Sequence, residues 1–237
     1  MRKHGAVKKL RRPAIKELVQ DYIQNYIIDH ELRPDDALPS QGQIVQDLDV
    51  SRSSVREAVR ALESLGIVEV RHGEGLYVRE INFDPLLEVL SYSVMINPSD
   101  LLNLLYVREL LEINTMPELV NRIKAEDLEI CRRVLVEWNE NLAAGLPCIE
   151  QDRCFHQTLY KVLENDLLIG LIDVFWLVYR KAEERTIPAA LSKQGVLDHH
   201  REILHAIKAK DVKLAQHLMK DHFQKVEARF RIALSNS

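Results

Sequence analysis

Asp152 and His156 stand four residues apart in "QDRCFHQTLY", a stretch in which Phe155, Leu159, Tyr160 and Leu163 recur at helical spacing. Side chains four apart share one face of a helix, so a carboxylate and an imidazole converge on the face that also carries the apolar residues. An interior tolerates such a pair only when it has partners. Two histidines further along supply them. His200 precedes Ile203, Leu204 and Ile207 at inward spacings while its neighbour His199 is rotated off that face; His222 aligns with Leu218, Met219 and Val226, while His217 lies among Lys213, Lys220 and Asp221. Periodicity therefore selects His200 and His222. One carboxylate and three imidazoles on three helices suit a divalent transition metal, zinc first, with nickel or manganese as alternatives. Hydrogen-bonded core or surface histidines are the competing reading, because isolated histidines are seldom ligands.

A second group carries positive charge at helical spacing. Arg52, Arg56 and Arg60 recur every fourth residue among Ser51, Ser53 and Ser54, and six bases (Arg2, Lys3, Lys8, Lys9, Arg11 and Arg12) fall within the first twelve residues, where there is no acid. Residues 1–80 hold 13 Lys+Arg and 13 Asp+Glu, so the net charge of −4 resides in the remainder. Charge concentrated along one helix attracts a phosphate backbone, and a solvated face produces the same spacing.

The scaffold for both groups reads as helix. "PAIKELVQDYIQNYIIDHEL" places Pro13 in a first turn and repeats apolar residues from Ile15 to Ile27. "RPDDALPS" reads as a turn, Ser40 with Gln43 as a capping box for a short helix through Leu48, and Ser51 as the cap of a helix ended by Gly66. The period then falls to two: "IVEV", a turn at "RHGEG" and "LYV" form a hairpin. Three helices and a hairpin in this order predict a winged helix-turn-helix. Its second helix enters the major groove, where Arg52 and Arg56 take guanine edges or grip phosphates. The serines add hydroxyl donors and a helix N-terminus, and His72-Gly73 forms a narrow wing tip.

The stretch "LPSQGQIVQDLDVSRSSVREAVRALESLGIVEVRHGEGLYV" closely resembles the DNA-binding domain of the GntR family of bacterial transcription regulators. The similarity covers residues 13–79, with Leu38-Pro39-Ser40, Val50-Ser51-Arg52, Val55-Arg56-Glu57-Ala58, Gly73 and Gly75 in register. Gln41 and Gly42 depart from it, standing where members usually carry an acid and a DNA-contacting arginine. From Pro85 onward about seven helices are predicted, roughly 85–95, 98–120, 125–144, 149–163, 166–184, 194–209 and 211–234, with no strand pattern. Their order is similar to the sensor domain of the FadR branch, through "YVRELLE", "DRCFHQTL" and "HREILHAI…HLMKDHF".

The fold class is thus mainly α, with a DNA-binding domain over 1–79, a linker over 80–84 and an all-helical effector-binding and dimerisation domain, an FCD-type sensor, over 85–237. The resemblance implies that Ser40 and the recognition-helix residues face double-stranded operator DNA, that Asp152, His156, His200 and His222 hold the metal, and that Arg108 binds a carboxylate. A salt bridge from Arg108 to Glu109 or Glu112 is its rival. Arg180 is a further effector candidate, and Asn165 is read as a helix cap. A homodimeric repressor responding to a small organic acid follows, set against a metal-dependent hydrolase with a DNA-binding appendage and against a metal-sensing or structural site. No apolar run approaches the roughly 20 residues of a membrane helix and no secretion signal is seen, which predicts a cytoplasmic protein without a membrane partner. Cys131, Cys148 and Cys154 form no CxxC pair and read as idle thiols.

Overall fold

The structure, a computed structural model, describes residues 15–80, 82–183 and 194–235, so Pro13 and the basic run before it lie outside the described residues. The chain divides into two compact units, Met1–Pro85 and Leu86–Ser237. Among the described residues no helix is long and apolar enough to cross a membrane.

In the first unit α1 (Ile15–Asp29), α2 (Gln41–Leu48) and α3 (Arg52–Ser64) precede a hairpin of β1 (Val68–Arg71) and β2 (Gly75–Val78). The apolar positions spaced along α1 and α3 meet there: Val19, Ile23, Ile44, Val55, Val59, Leu62 and Val68 are shielded from solvent. Ser40 caps α2, its Oγ accepting from Gln43 N at 3.2 Å, but the Gln43 side chain turns to Asp47 Oδ1 at 2.7 Å. Only half of the expected capping box forms. The turn between α2 and α3 places Asp49 at φ 49°, and Gly66 takes φ 72° beyond α3, a region that glycine occupies without strain. The segment "RPDDALPS" does more than turn. Leu38 N donates to Leu76 O at 2.8 Å, Asp35 N donates to Val78 O at 2.9 Å, and Ala37 bridges Tyr77. The outer edge of β2 is covered in this way, which a hairpin edge otherwise leaves open.

The seven helices that follow are α4 (Asp84–Ile96), α5 (Asp100–Arg122), α6 (Ala125–Ala143), α7 (Ile149–Lys161), α8 (Asp166–Glu183), α9 (Gln194–Lys208) and α10 (Val212–Ser235). α5 packs along α10 and α8, α6 along α7 and α9, and α9 along α10. Asn165 caps α8 through Oδ1, which accepts from Leu168 N at 3.0 Å. Cys131 and Cys148 are buried and Cys154 is exposed.

One proline shapes the middle of α5. Pro117 lies inside the helix and has no N–H to give the carbonyl of Ile113. Gln216 of α10 supplies the missing donor, its Nε2 meeting Ile113 O at 2.9 Å, and Tyr160 of α7 donates to the neighbouring Glu112 O at 2.8 Å. Side chains from two other helices thus hold α5 where its own ladder is interrupted. Gln216→Leu should lower the stability of this unit by about 1–3 kcal/mol in denaturant unfolding. Pro117→Ala in the same background should restore most of it, because the new backbone N–H reaches Ile113 O.

Candidate metal centre and nucleic-acid face

α7 carries Asp152 and His156 on its buried face, α9 delivers His200 and α10 delivers His222, and all four are buried. One ligand atom from each lies within 4.8 Å of the others. His200 Nε2 stands 2.8 Å from Asp152 Oδ1, His156 Nε2 stands 3.4 Å from the same oxygen, and the two Nε2 atoms are 3.3 Å apart.

The hydrogens of these imidazoles are accounted for elsewhere. His156 Nδ1 faces Glu112 Oε2 at 2.5 Å and His200 Nδ1 faces Val196 O at 2.7 Å. Both acceptors lack a proton, so each Nδ1 bears a hydrogen, and Nε2 is the ring atom that each turns inward. Neither oxygen of Asp152 has a hydrogen bond of good geometry despite the short approach of His200. Two Nε2 atoms and a carboxylate therefore converge, and neutral imidazoles so placed offer lone pairs, a donor set that fits a divalent cation.

Burial would raise the Asp152 carboxyl, but His200 and His156 outweigh it and hold it well below the usual range. Burial, then the neighbouring His200 and His156, push His222 well below 6.5, which keeps it neutral. For His156 burial acts downward, and the charge of Glu112 overcomes it and raises the value.

Arg108 is buried within an aromatic cage, its guanidinium 4.3 Å from the Trp176 ring, 4.9 Å from Phe175 and 5.3 Å from Phe223. Its Nε meets Glu112 Oε1 at 2.5 Å, so of the two expected acidic partners Glu112 is the one engaged. Its Nη2 has no partner, and neither has the buried Trp176 Nε1. Arg229 presents a third buried and unpartnered donor, Nη1, and feels the charge of Asp152. It stands seven residues after His222, the spacing that returns to the same helix face, and this signal was available in the sequence. Arg180 does not join these groups. It is half exposed and its Nη1 donates to Glu150 Oε1 at 3.2 Å. An arginine at 180 reads as inward only if α8 is rotated further than Phe175 and Trp176, both buried, allow. His199 is another correction: it is buried, with Nε2 2.9 Å from Leu218 O, yet outside the four-residue set. An open groove of about 810 Å³ between α6 and α9, lined by Leu128, Leu135, Val136 and Leu204 among others, includes none of the candidate residues.

On the first unit, Arg52, Arg56 and Arg60 are exposed along one side of α3. Ser51 caps that helix, accepting from Ser54 N at 3.1 Å, and its Oγ lies 2.8 Å from the hydroxyls of Ser53 and Ser54. These serines are engaged with one another as well as facing outward. Gln41, Gly42, Arg52 and Arg56 line a small cleft of about 190 Å³, and a Cβ on Gly42 would meet only Ser40 Oγ, at 3.8 Å. His72 and Gly73 are exposed in the wing turn, with Gly73 at φ 80°.

Comparison with known proteins agrees with both units. Residues 15–78 match the family of bacterial regulatory proteins described as gntR, and residues 103–225 match the FCD domain. The HTH-type transcriptional regulator LutR of Bacillus subtilis is 32% identical over 202 residues, covering 83% of this chain and 92% of that protein. The HTH-type transcriptional repressor NanR of Cronobacter sakazakii is 25% identical over 232 residues, covering 94% and 87%. A solved Streptococcus agalactiae GntR structure superposes with a TM-score of 0.63 at 28% identity, covering 90% of this chain and 99% of that one. The chain belongs to the GntR family of bacterial regulatory proteins and is a transcriptional regulator rather than an enzyme, with an FCD ligand-binding domain behind its helix-turn-helix.

Proposed function

We propose that this regulator is a cytoplasmic homodimeric repressor whose operator affinity is set by a small carboxylate-bearing metabolite bound beside a divalent transition metal, zinc in the first instance. The observation that carries the metal is the convergence of the buried His156 and His200 Nε2 atoms on Asp152, with each Nδ1 engaged elsewhere. Asp152, His156, His200 and His222 would hold the ion, which supplies a Lewis-acidic centre for an oxygen ligand. The observation that carries the metabolite is the set of buried donors left without acceptors: Arg108 Nη2, Trp176 Nε1 and Arg229 Nη1. Such donors are costly when unpaired, and a carboxylate accepts from several at once. Arg108 and Arg229 therefore form the effector set, in place of Arg108 and Arg180.

Repression follows the relative named as a repressor. A dimer suits the two-fold logic of operators, and Val89, Tyr92, Met95 and Ile96 of α4 are exposed apolar residues that a second copy would cover. Ser40, Ser51, Ser53, Ser54, Arg52, Arg56, Arg60, His72 and Gly73 form the DNA face in this reading.

The purified protein should contain about one divalent transition metal per chain by elemental analysis, as a four-ligand site does. His156→Ala and His222→Ala should lose it and melt at lower temperature, whereas His217→Ala, whose side chain is 68% exposed, should keep it; full metal content in both buried variants would refute the site.

Acid should lower the folding stability of this unit progressively below pH 6.5, the ordinary value for His222. The sign follows from the depressed folded value: below pH 6.5 the unfolded chain takes up a proton that the folded site refuses, so this contribution is complete above 6.5 and lost as pH falls. Denaturant unfolding of the metal-free protein across that range checks it.

Arg52→Ala and Arg56→Ala should each weaken operator binding by about 1–3 kcal/mol where a bidentate base contact is lost, with unchanged melting and a steep dependence on salt. Gel shifts showing unaltered affinity in both would displace α3 from the groove.

A further inference from the structure

We infer that Glu112 sets which nitrogen of His156 faces the metal, and that Arg108 sets the direction in which Glu112 does so. The inference rests on the metal reading above and adds to it a residue that touches neither the ion nor, by itself, the effector.

Glu112 is fully buried and its two oxygens are divided between two donors. Oε1 meets Arg108 Nε and Oε2 meets His156 Nδ1, each at 2.5 Å. The Tyr160 hydroxyl anchors its backbone oxygen at 2.8 Å, so the side chain leaves α5 from a fixed point. An arginine N–H only donates and an ionised carboxylate only accepts. The hydrogen-bond polarity therefore runs one way from both ends into Glu112, His156 must carry a hydrogen on Nδ1, and Nε2 is the nitrogen left to face an ion beside Asp152 and His200. The burial of the Arg108 charge is met in the same step, by the carboxylate and by the faces of Phe175 and Trp176.

This arrangement gives glutamine at 112 an unusual consequence. Its amide has an accepting end and a donating end in nearly the same volume as the carboxylate. Arg108 Nε–H demands the oxygen, which turns the NH₂ towards His156 Nδ1. That nitrogen must then accept, and the ring hydrogen moves to Nε2, into the place of the ion. When Arg108 is replaced as well, the amide is free to rotate and present its oxygen to His156, so the original tautomer returns. Methionine is an apt replacement, because the cage of Phe175, Trp176 and Phe223 that surrounds Arg108 is apolar.

The test uses the full chain, zinc alone as the probe, a competing chromophoric chelator for affinity, and melting curves for folding. Glu112→Gln should weaken zinc binding by about 10–100-fold while the four ligands are untouched, and the double variant Arg108→Met/Glu112→Gln should regain most of the loss. In zinc-loaded wild-type protein, ¹⁵N-resolved spectra should show His156 bound through Nε2 with a hydrogen on Nδ1, a readout that stands even where Glu112→Gln fails to fold. A Glu112→Gln protein that binds zinc as tightly as wild type, a double variant no better than Glu112→Gln, or zinc on His156 Nδ1 would each overturn the inference and leave the metal site standing. Wild-type protein without zinc affinity would remove both.

Discussion

The buried carboxylate of Glu112 accepts from Arg108 on one side and from His156 on the other, and the interior of the sensor unit is organised around that double demand. A guanidinium and an imidazole inside a bundle are each costly without an acceptor. Sharing one carboxylate satisfies both, turns His156 Nε2 towards Asp152 and His200, and leaves Arg108 Nη2, like the buried Trp176 Nε1, without a partner. Those remainders are the features a ligand can recognise. Burial would raise the Glu112 carboxyl, yet the charges of Arg108 and His156 outweigh it and keep it ionised, so the acceptor role persists.

The same helix that carries Glu112 is interrupted by Pro117 five residues later. The carbonyls near the interruption are taken up by Tyr160 from α7 and Gln216 from α10, the helices that also bring His156 and His222. Lys210, in the turn before α10, donates to the carbonyls of Val120 and Ile123 at the end of α5. The two helices that satisfy these α5 carbonyls, α7 and α10, therefore also carry three of the four clustered residues, and the cluster is held on helices rather than on loops.

The DNA-binding unit follows a different principle. Its functional side chains need only an ordered helix with one face buried and the other open. Val55, Ala58, Val59 and Leu62 bury one side of α3, and the arginines four residues apart occupy the other. Ser51 closes the N-terminus locally. Nothing in that face depends on a partner from a distant part of the chain, whereas every group of the Asp152, His156, His200 and His222 cluster does.

This contrast separates what the amino-acid order determined from what tertiary packing decided. Helix boundaries, the winged motif, the hairpin and the inward choice of His200 and His222 over His217 follow from period and capping, because one helix face is written at fixed spacing. The GntR assignment rests on the same local motif. The pairing of residues 35–38 with β2, the burial of His199 and the outward turn of Arg180 depend on how elements rotate against one another, which no spacing encodes. Glu112 is the clearest instance. Its partner Arg108, one turn away, was visible as a salt bridge, but its contact with His156 spans 44 residues. Only the packing of α7 against α5 brings these two together, and which nitrogen of His156 is turned towards Asp152 and His200 is decided there.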